Sequence, residues 1–296
     1  MIKNMIKRKF LFLIIGIFIF SLINIFPSKN EVTNYQTHKY NSSIFLLDNE
    51  NYLAKVSVVV HESTTISKIK EIINLLTIND DINNYIPSFF NKTIPYKTKL
   101  LDLNIYNDNL ELNFNNNFIN TTIGRKEIES IIYSITENTS INNIIIKVDG
   151  KILTKVPNSN EILNYPLTKS FGINKINNID NIKDIKNISV LYPASYNNYH
   201  YYVPVTFMSN TNEDIIKVII TKLKTNPKLD HNLRTYLNAS LELKEYKLLE
   251  NEISLEFNDY LFFGLKDEQE KEEVKYTISQ SIIDTLNIKK VSFILE

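Results

Sequence analysis

Four histidines and 33 acidic side chains are the first candidates for acid–base or metal chemistry in this chain, which has no cysteine. That absence excludes thiol nucleophiles, zinc-thiolate sites, disulfides and a lipid-modified N-terminal cysteine. His38, His61, His200 and His231 are scattered, and none stands at metal-ligand spacing from another. His61-Glu62 opens the zinc-helix motif His-Glu-x-x-His, but the second histidine is missing. Asp80-Asp81 reads as loop, and Glu268 to Glu273 as loop or helix start, where acidic side chains sit well against the helix dipole. Paired carboxylates can hydrolyse a glycan, yet spacing in sequence does not give their separation in space. No glycine-rich phosphate loop or nucleophile elbow is present. The expectation is therefore no catalytic residue, no cofactor and no metal site.

Tyr192, Tyr196, Tyr199, Tyr201 and Tyr202 form the one cluster that suggests a surface. Aromatic side chains concentrate at protein interfaces and stack on sugars, which makes Tyr196, Tyr199 and Tyr201 candidate partner-binding residues. Tyrosine is common along the whole chain, and alternating tyrosines are also ordinary sheet packing.

These side chains need a scaffold, and the length of 296 residues is enough for two domains of roughly 100 to 150 residues each. Basic and acidic residues balance at 33 each, so no net field favours nucleic acid, an anionic surface or an acidic substrate. Asn, Ile, Lys, Tyr and Phe dominate every segment, loops included, as a coding bias would produce. At the amino terminus Lys3, Lys7, Arg8 and Lys9 precede an uncharged run from Phe10 to Phe26. A run of about 17 apolar residues reaches the lower edge of what spans a bilayer. It is bulky to its end and offers no cleavage site, so it reads as an uncleaved anchor. Residues 1–9 then form a basic cytoplasmic tip, 10–26 a single transmembrane span and 27–43 a polar tether. Everything beyond is extracytoplasmic by the positive-inside rule.

Two short β-rich runs, Ile44 to Leu47 and Val56 to Val60, predict strands. Ser63-Thr64-Thr65 then starts a helix with Ile66, Ile69, Ile72, Ile73 and Leu76 on one face. Leu101, Leu103 and Ile105 alternate with polar residues, Asn107-Asp108-Asn109 can turn, and Leu110, Leu112 and Phe114 resume the alternation as a hairpin. A second helix carries Ile128, Ile131, Ile132 and Ile135, and Ile144 to Val148 closes the unit as a strand.

The same β-β-α-β-β-α-β order recurs from Val190 to Leu295, at an offset of about 145 residues. The chain thus predicts two copies, 44–156 and 188–296, each carrying a full set of strands and helices and able to fold alone. Residues 157–187 form a linker, with a short strand or brace around Tyr165 to Phe171 as the alternative. The fold class is α+β, a tandem of two-layer α/β sandwiches behind the membrane helix.

Local sequences add a resemblance. Tyr202-Val203-Pro204-Val205-Thr206, Ile94-Pro95-Tyr96-Lys97-Thr98-Lys99-Leu100-Leu101, Asn113-Phe114-Asn115, Glu256-Phe257-Asn258 and Ile146-Lys147-Val148-Asp149-Gly150-Lys151 follow one another as in the GerMN domain, which they resemble. The first copy departs from the pattern with Ser57-Val58-Val59 at the Pro position, and the second lacks the Val-Asp-Gly ending. The resemblance implies a ring-building-motif-like fold, no catalytic residues, and a role in sporulation or spore germination in the cell membrane. It also implies partners among other envelope or sporulation-complex proteins. A peptidoglycan-binding module is the alternative function and a cell-wall hydrolase a further one.

Overall fold

The elements form where hydrophobic period and turn chemistry agree, and their assembly departs from a simple tandem. A computed structural model describes residues 41–79, 86–178, 184–210, 212–225 and 233–294. The expected cytoplasmic tip, membrane span and most of the tether lie outside the described residues, as do His38, His231, Asp80 and Asp81. Among the described residues no helix is long and apolar enough to cross a membrane.

In the first copy, β1 (Ser42–Leu47) and β2 (Leu53–Val58) pair as a hairpin. Asp48 shapes its turn, accepting the amides of Glu50 at 2.9 Å and Tyr52 at 2.8 Å. Helix α1 (Thr65–Leu76) starts at Thr64, whose hydroxyl accepts from the Ser67 amide. It buries Ile69, Ile72, Ile73 and Leu76, whereas Ile66, expected on the same face, is exposed in the first turn. Strands β3 (Leu100–Tyr106) and β4 (Asn109–Phe114) join through Asn107-Asp108, both at positive φ as a type I′ turn needs. Helix α2 (Arg125–Asn138) leads to β5 (Asn143–Val148), which pairs parallel to β4, and Asp149-Gly150 turns the chain into β6 (Lys151–Ile152).

The region expected as a linker contains β7 (Ile176–Asn178), and the second copy opens with β8 (Lys186–Tyr196) and β9 (Tyr199–Ser209). These two are far longer than the runs at 190–192 and 201–207 suggest. Asn197-Asn198, at φ 48° and 62°, makes the turn between them, and asparagine is too common in this chain for the pair to stand out. Helix α3 (Ile215–Leu223), strands β10 (Leu243–Leu249) and β11 (Glu252–Phe257), helix α4 (Glu268–Leu286) and β12 (Lys290–Ile294) complete the repeat.

The picture of two self-contained sandwiches needs correction. Strands β3-β4-β5-β6 form one sheet and β10-β11-β12 another, but the opening hairpins leave their copies and merge. β2 runs antiparallel to β9, so β1-β2 and β9-β8 make one sheet across the duplication. Its outer strands are covered by helices. Ser134 and Ser130 of α2 bond the Phe45 amide and carbonyl at 2.9 and 2.6 Å, and in the second copy Ser281 of α4 accepts from the Leu191 amide at 2.9 Å.

Main-chain pairing between β2 and β9 is limited to Lys55 and Tyr202. The remaining edge of β9 is filled by the presumed linker. The Ile173 carbonyl accepts from the Thr206 amide at 2.9 Å, and β7 runs parallel to Phe207–Ser209. Between them Asn174, buried at φ 48°, inserts its side chain. Its Oδ1 accepts from the Leu53 amide and Lys126 Nζ at 2.9 and 2.8 Å, while its Nδ2 donates to the Leu53 and Pro204 carbonyls at 2.9 and 2.8 Å. Two acceptor sites and two donors are all that an amide side chain has. Pro204 has no N–H, so the strand itself cannot complete this edge.

Asn174→Ala is expected to cost about 3 kcal/mol, because it strands buried main-chain groups of both copies. Asn174→Asp should cost at least as much at neutral pH, since a carboxylate would face two carbonyl oxygens. Urea unfolding measures both, and the shared sheet is expected to give one transition for both copies.

Candidate functional site

The sequence marks His61, Glu62 and the acidic run at Glu268 for scrutiny, and each has a structural task. The His61 side chain is 76% exposed, with Nδ1 3.0 Å from Glu71 Oε1. Glu71, on α1, also accepts the amides of His61 and Glu62 at 3.0 to 3.1 Å, which ties the loop to the helix. Burial pushes the Glu71 carboxyl up, but these donors outweigh it and hold it below the usual range. Among the described residues no group of three histidine, aspartate or glutamate side chains could hold a metal. Asp267 caps α4 by accepting the Glu270 amide at 2.9 Å, and Glu268 and Glu272 pair with Lys271 and Lys275. Glu273 turns inward, with Oε1 3.8 Å from His200 Nδ1.

The tyrosine cluster is where the copies touch. Phe89 and Phe90, which sequence reasoning passed over, stand opposite the β8–β9 hairpin. Ring centroids lie 5.0 Å apart for Phe89–Tyr196, 5.9 Å for Phe90–Tyr199 and 5.2 Å for Phe90–Tyr201. Tyr201 is buried and its hydroxyl donates to Asp48 Oδ2 at 3.2 Å. It therefore offers no surface to a partner, which removes it from the candidate partner-binding residues. Tyr196 and Tyr199 are half-buried and keep accessible edges. Tyr192 is core, donating to the Lys222 carbonyl at 2.9 Å, and Tyr202 packs on Tyr276 at 4.8 Å.

Charged side chains gather beside this junction. Lys55 on β2 lies 2.5 Å from Glu137 of α2 and donates to Tyr276 of α4 at 3.2 Å. Lys169 lies 3.5 Å from both Glu137 and Asp284, so one ionic chain ties α2 to α4. Burial pushes the Glu137 carboxyl up, but Lys55 and Lys169 outweigh it and leave it below the usual range. A cleft of about 470 Å³ near Asn174 is lined by Tyr52, Arg125, Lys126, Glu129 and Lys175 among others. Arg125 is fixed by Glu129 at 2.7 Å, by Glu161 and by the Phe171 carbonyl, and it lies over the Phe171 ring. Its guanidinium is thus spent on the fold.

One buried acid stands apart. Glu127 is fully buried in the first turn of α2, and neither carboxyl oxygen makes a well-formed hydrogen bond. Burial raises its pKa to about 9, offset only slightly by the nearby Thr121 hydroxyl. The helix equivalence that matches Ser134 with Ser281 sets Glu127 against Val274, a buried apolar residue. The carboxyl occupies a core position as a neutral acid.

A fold of split copies, stitched by a shared sheet, defines the class. Residues 43–154 match the family model described as "Germane: Sporulation and spore germination". The solved tandem GerMN domains of the sporulation protein GerM from Bacillus subtilis superpose with a TM-score of 0.76, at 22% identity over 85% of this chain and 89% of that one. The chain is a tandem GerMN-fold protein. More particularly, it is GerM-like: the spore germination protein GerM of Bacillus subtilis (strain 168) is 24% identical over 258 residues, 84% of this chain and 69% of that protein.

Glu127→Val, which copies the second repeat, is expected to raise stability at pH 7 by roughly 1–3 kcal/mol. A carboxyl whose folded pKa exceeds its unfolded one binds more protons when folded, so stability falls as pH rises from about 4.5 towards about 9. The slope from this group is about 1.4 kcal/mol per pH unit. Unfolding titrations across that window should show the slope in the parent and its loss in the variant.

Proposed function

We propose that the protein is a non-catalytic, membrane-anchored envelope component that acts in sporulation or spore germination by docking other envelope proteins. The supporting observation is how its reactive groups are used. His61 and Glu71 form a loop clamp, Asp267 a helix cap, and Lys55, Glu137 and Lys169 the ionic chain between copies. Likeness to GerM supports the developmental setting, and the uncharged run at 10–26 supports a single-pass anchor with the copies outside.

Tagged full-length protein, isolated from spore-forming cells after mild crosslinking, is expected to bring down a defined set of envelope proteins. Pelleting with purified peptidoglycan instead would favour a glycan-binding module, and release of muropeptides would mark a hydrolase. His61→Ala and Glu62→Ala are expected to leave function intact, because both positions only meet Glu71. Loss of spore formation or germination in a normally folded variant of either would overturn the non-catalytic reading.

A further inference from the structure

A second cleft, of about 420 Å³, lies between α1 and β3 of the first copy. Lys70, Ile73 and Thr77 line it from the helix, and Thr98, Leu101 and Leu103 from the strand and its approach. β3 is an edge strand of its sheet, so the cleft opens outward. The duplication supplies a control for it, because matching bonds fix the register between copies. The Lys99 amide donates to Asn115 Oδ1 and its carbonyl accepts from the Asn115 amide, and Glu242 and Asn258 repeat both bonds. Thr98 thus corresponds to Leu241, Leu101 to Lys244 and Leu103 to Tyr246. On the helices, the buried residues Ile69, Ile72, Ile73 and Leu76 share one spacing with Ile216, Ile219, Ile220 and Leu223. That sets Thr77 against Lys224, the C-cap of each helix.

In the second copy the equivalent positions carry longer side chains, and two of these bridge helix and strand. Lys224 donates to the Leu241 carbonyl at 2.8 Å, and the Tyr246 hydroxyl donates to Asp214 Oδ2, at the cap of α3, at 2.6 Å. Leu241 itself is buried. The first copy has a shorter side chain at all three places. The Thr77 hydroxyl turns back to donate to the Ile73 carbonyl at 2.7 Å, so the Thr98 carbonyl lacks the donor that its counterpart has. Leu101, at the rim, is 53% exposed where the second copy has a lysine. A space that one copy closes with its own side chains is open in the other.

We propose that this cleft receives a lysine side chain of a partner polypeptide, in the way Lys224 fills its counterpart from within. The aliphatic stem lies along Ile73, Leu101 and Leu103, and the ammonium group donates to the Thr98 carbonyl. Charge favours a cation at this place. The carbonyl end of a helix attracts positive charge, and α1 has no basic residue in its last turn, whereas α3 has Lys222 there and Lys224 as its cap. Asp102 adds a carboxylate to the cleft wall, and Lys92 is bonded to Asn79 beyond the helix end. Lys70 also lines the cleft, but its counterpart Lys217 coexists with the Lys224 bridge in the second copy. Apolar residues that flank the partner's lysine meet the exposed Leu101 and Ile105 of β3. This assignment rests on the docking reading and names the chemistry that the partner presents.

The probe is a capped synthetic peptide, Ser-Leu-Lys-Leu-Ser, added to the full chain in detergent with methyl-labelled isoleucine and leucine. The methyl resonances of Ile73, Leu101 and Leu103 should shift on addition. Norleucine in place of the peptide's lysine should weaken binding about tenfold, as loss of a charge-assisted hydrogen bond does. Thr77→Lys combined with Leu103→Tyr copies the second repeat, and it should abolish binding without lowering the unfolding midpoint. Leu101→Lys changes only an exposed side chain and copies Lys244. It should weaken binding roughly fivefold or more through like-charge repulsion, in a protein that unfolds as the parent does. Resonances at the cleft that do not move, or equal binding of the norleucine peptide, would overturn the proposal. Undiminished binding by either variant in its folded form would overturn it too. Envelope proteins that co-purify equally with the parent and Leu101→Lys would refute this site and leave docking standing. If none co-purifies even with the parent, the docking reading itself fails.

Discussion

One amide side chain carries the joint between the two halves. β2 and β9 meet at a single main-chain pair, and Pro204 cannot donate. Asn174 makes good the deficit by spending its full hydrogen-bonding capacity on Leu53, Pro204 and Lys126. Its own amide donates to Glu129 at 3.0 Å, and Glu129 in turn is held by Arg125. Strand, helix and connecting segment therefore converge on one residue. The aromatic contacts of Phe89 and Phe90 and the ionic chain through Glu137 build outward on the alignment this joint fixes.

The copies have diverged according to their surroundings. Glu127 and Val274 are equivalent, yet one is an acid kept neutral by burial and the other an ordinary core side chain. Phe114 stacks on the buried Phe118 at 4.4 Å, whereas the loop after Phe257 turns aromatic side chains outward. The edge of β5 is covered by the stretch that follows it, while β12 is the terminal strand of its sheet among the described residues. Divergence is greatest where the connecting segment covers one copy only.

Elements were legible in the sequence because period and turn residues are local. Ile69, Ile72, Ile73 and Leu76, and likewise Ile128, Ile131, Ile132 and Ile135, are buried on the faces their spacing gave. Leu110, Leu112 and Phe114 line the core as their alternation required, while Leu101 and Ile105 of β3 are exposed because that strand is a bulged sheet edge. The shared sheet was not legible: nothing in a strand's pattern says whether its neighbour is its own copy or the other. Asn174 was hidden by composition, one asparagine among many in a stretch that reads as linker. The tyrosine cluster was visible, but its burial depended on Phe89 and Phe90, far away in sequence. Tyr201 thus changed from a candidate contact into core.

The hydroxyls of Ser134 and Ser281 have a consequence for stoichiometry. Hairpins that merge edge to edge have no inherent limit, since each added hairpin leaves a new edge for the next. Here β1 is bonded by α2 and β8 by α4, so both ends of the merged sheet are occupied by the helices of the same copies that supply its strands. A further hairpin could add at these points only by displacing the serines from the Phe45 amide and carbonyl and from the Leu191 amide. At these points the shared sheet is closed by the two copies that build it.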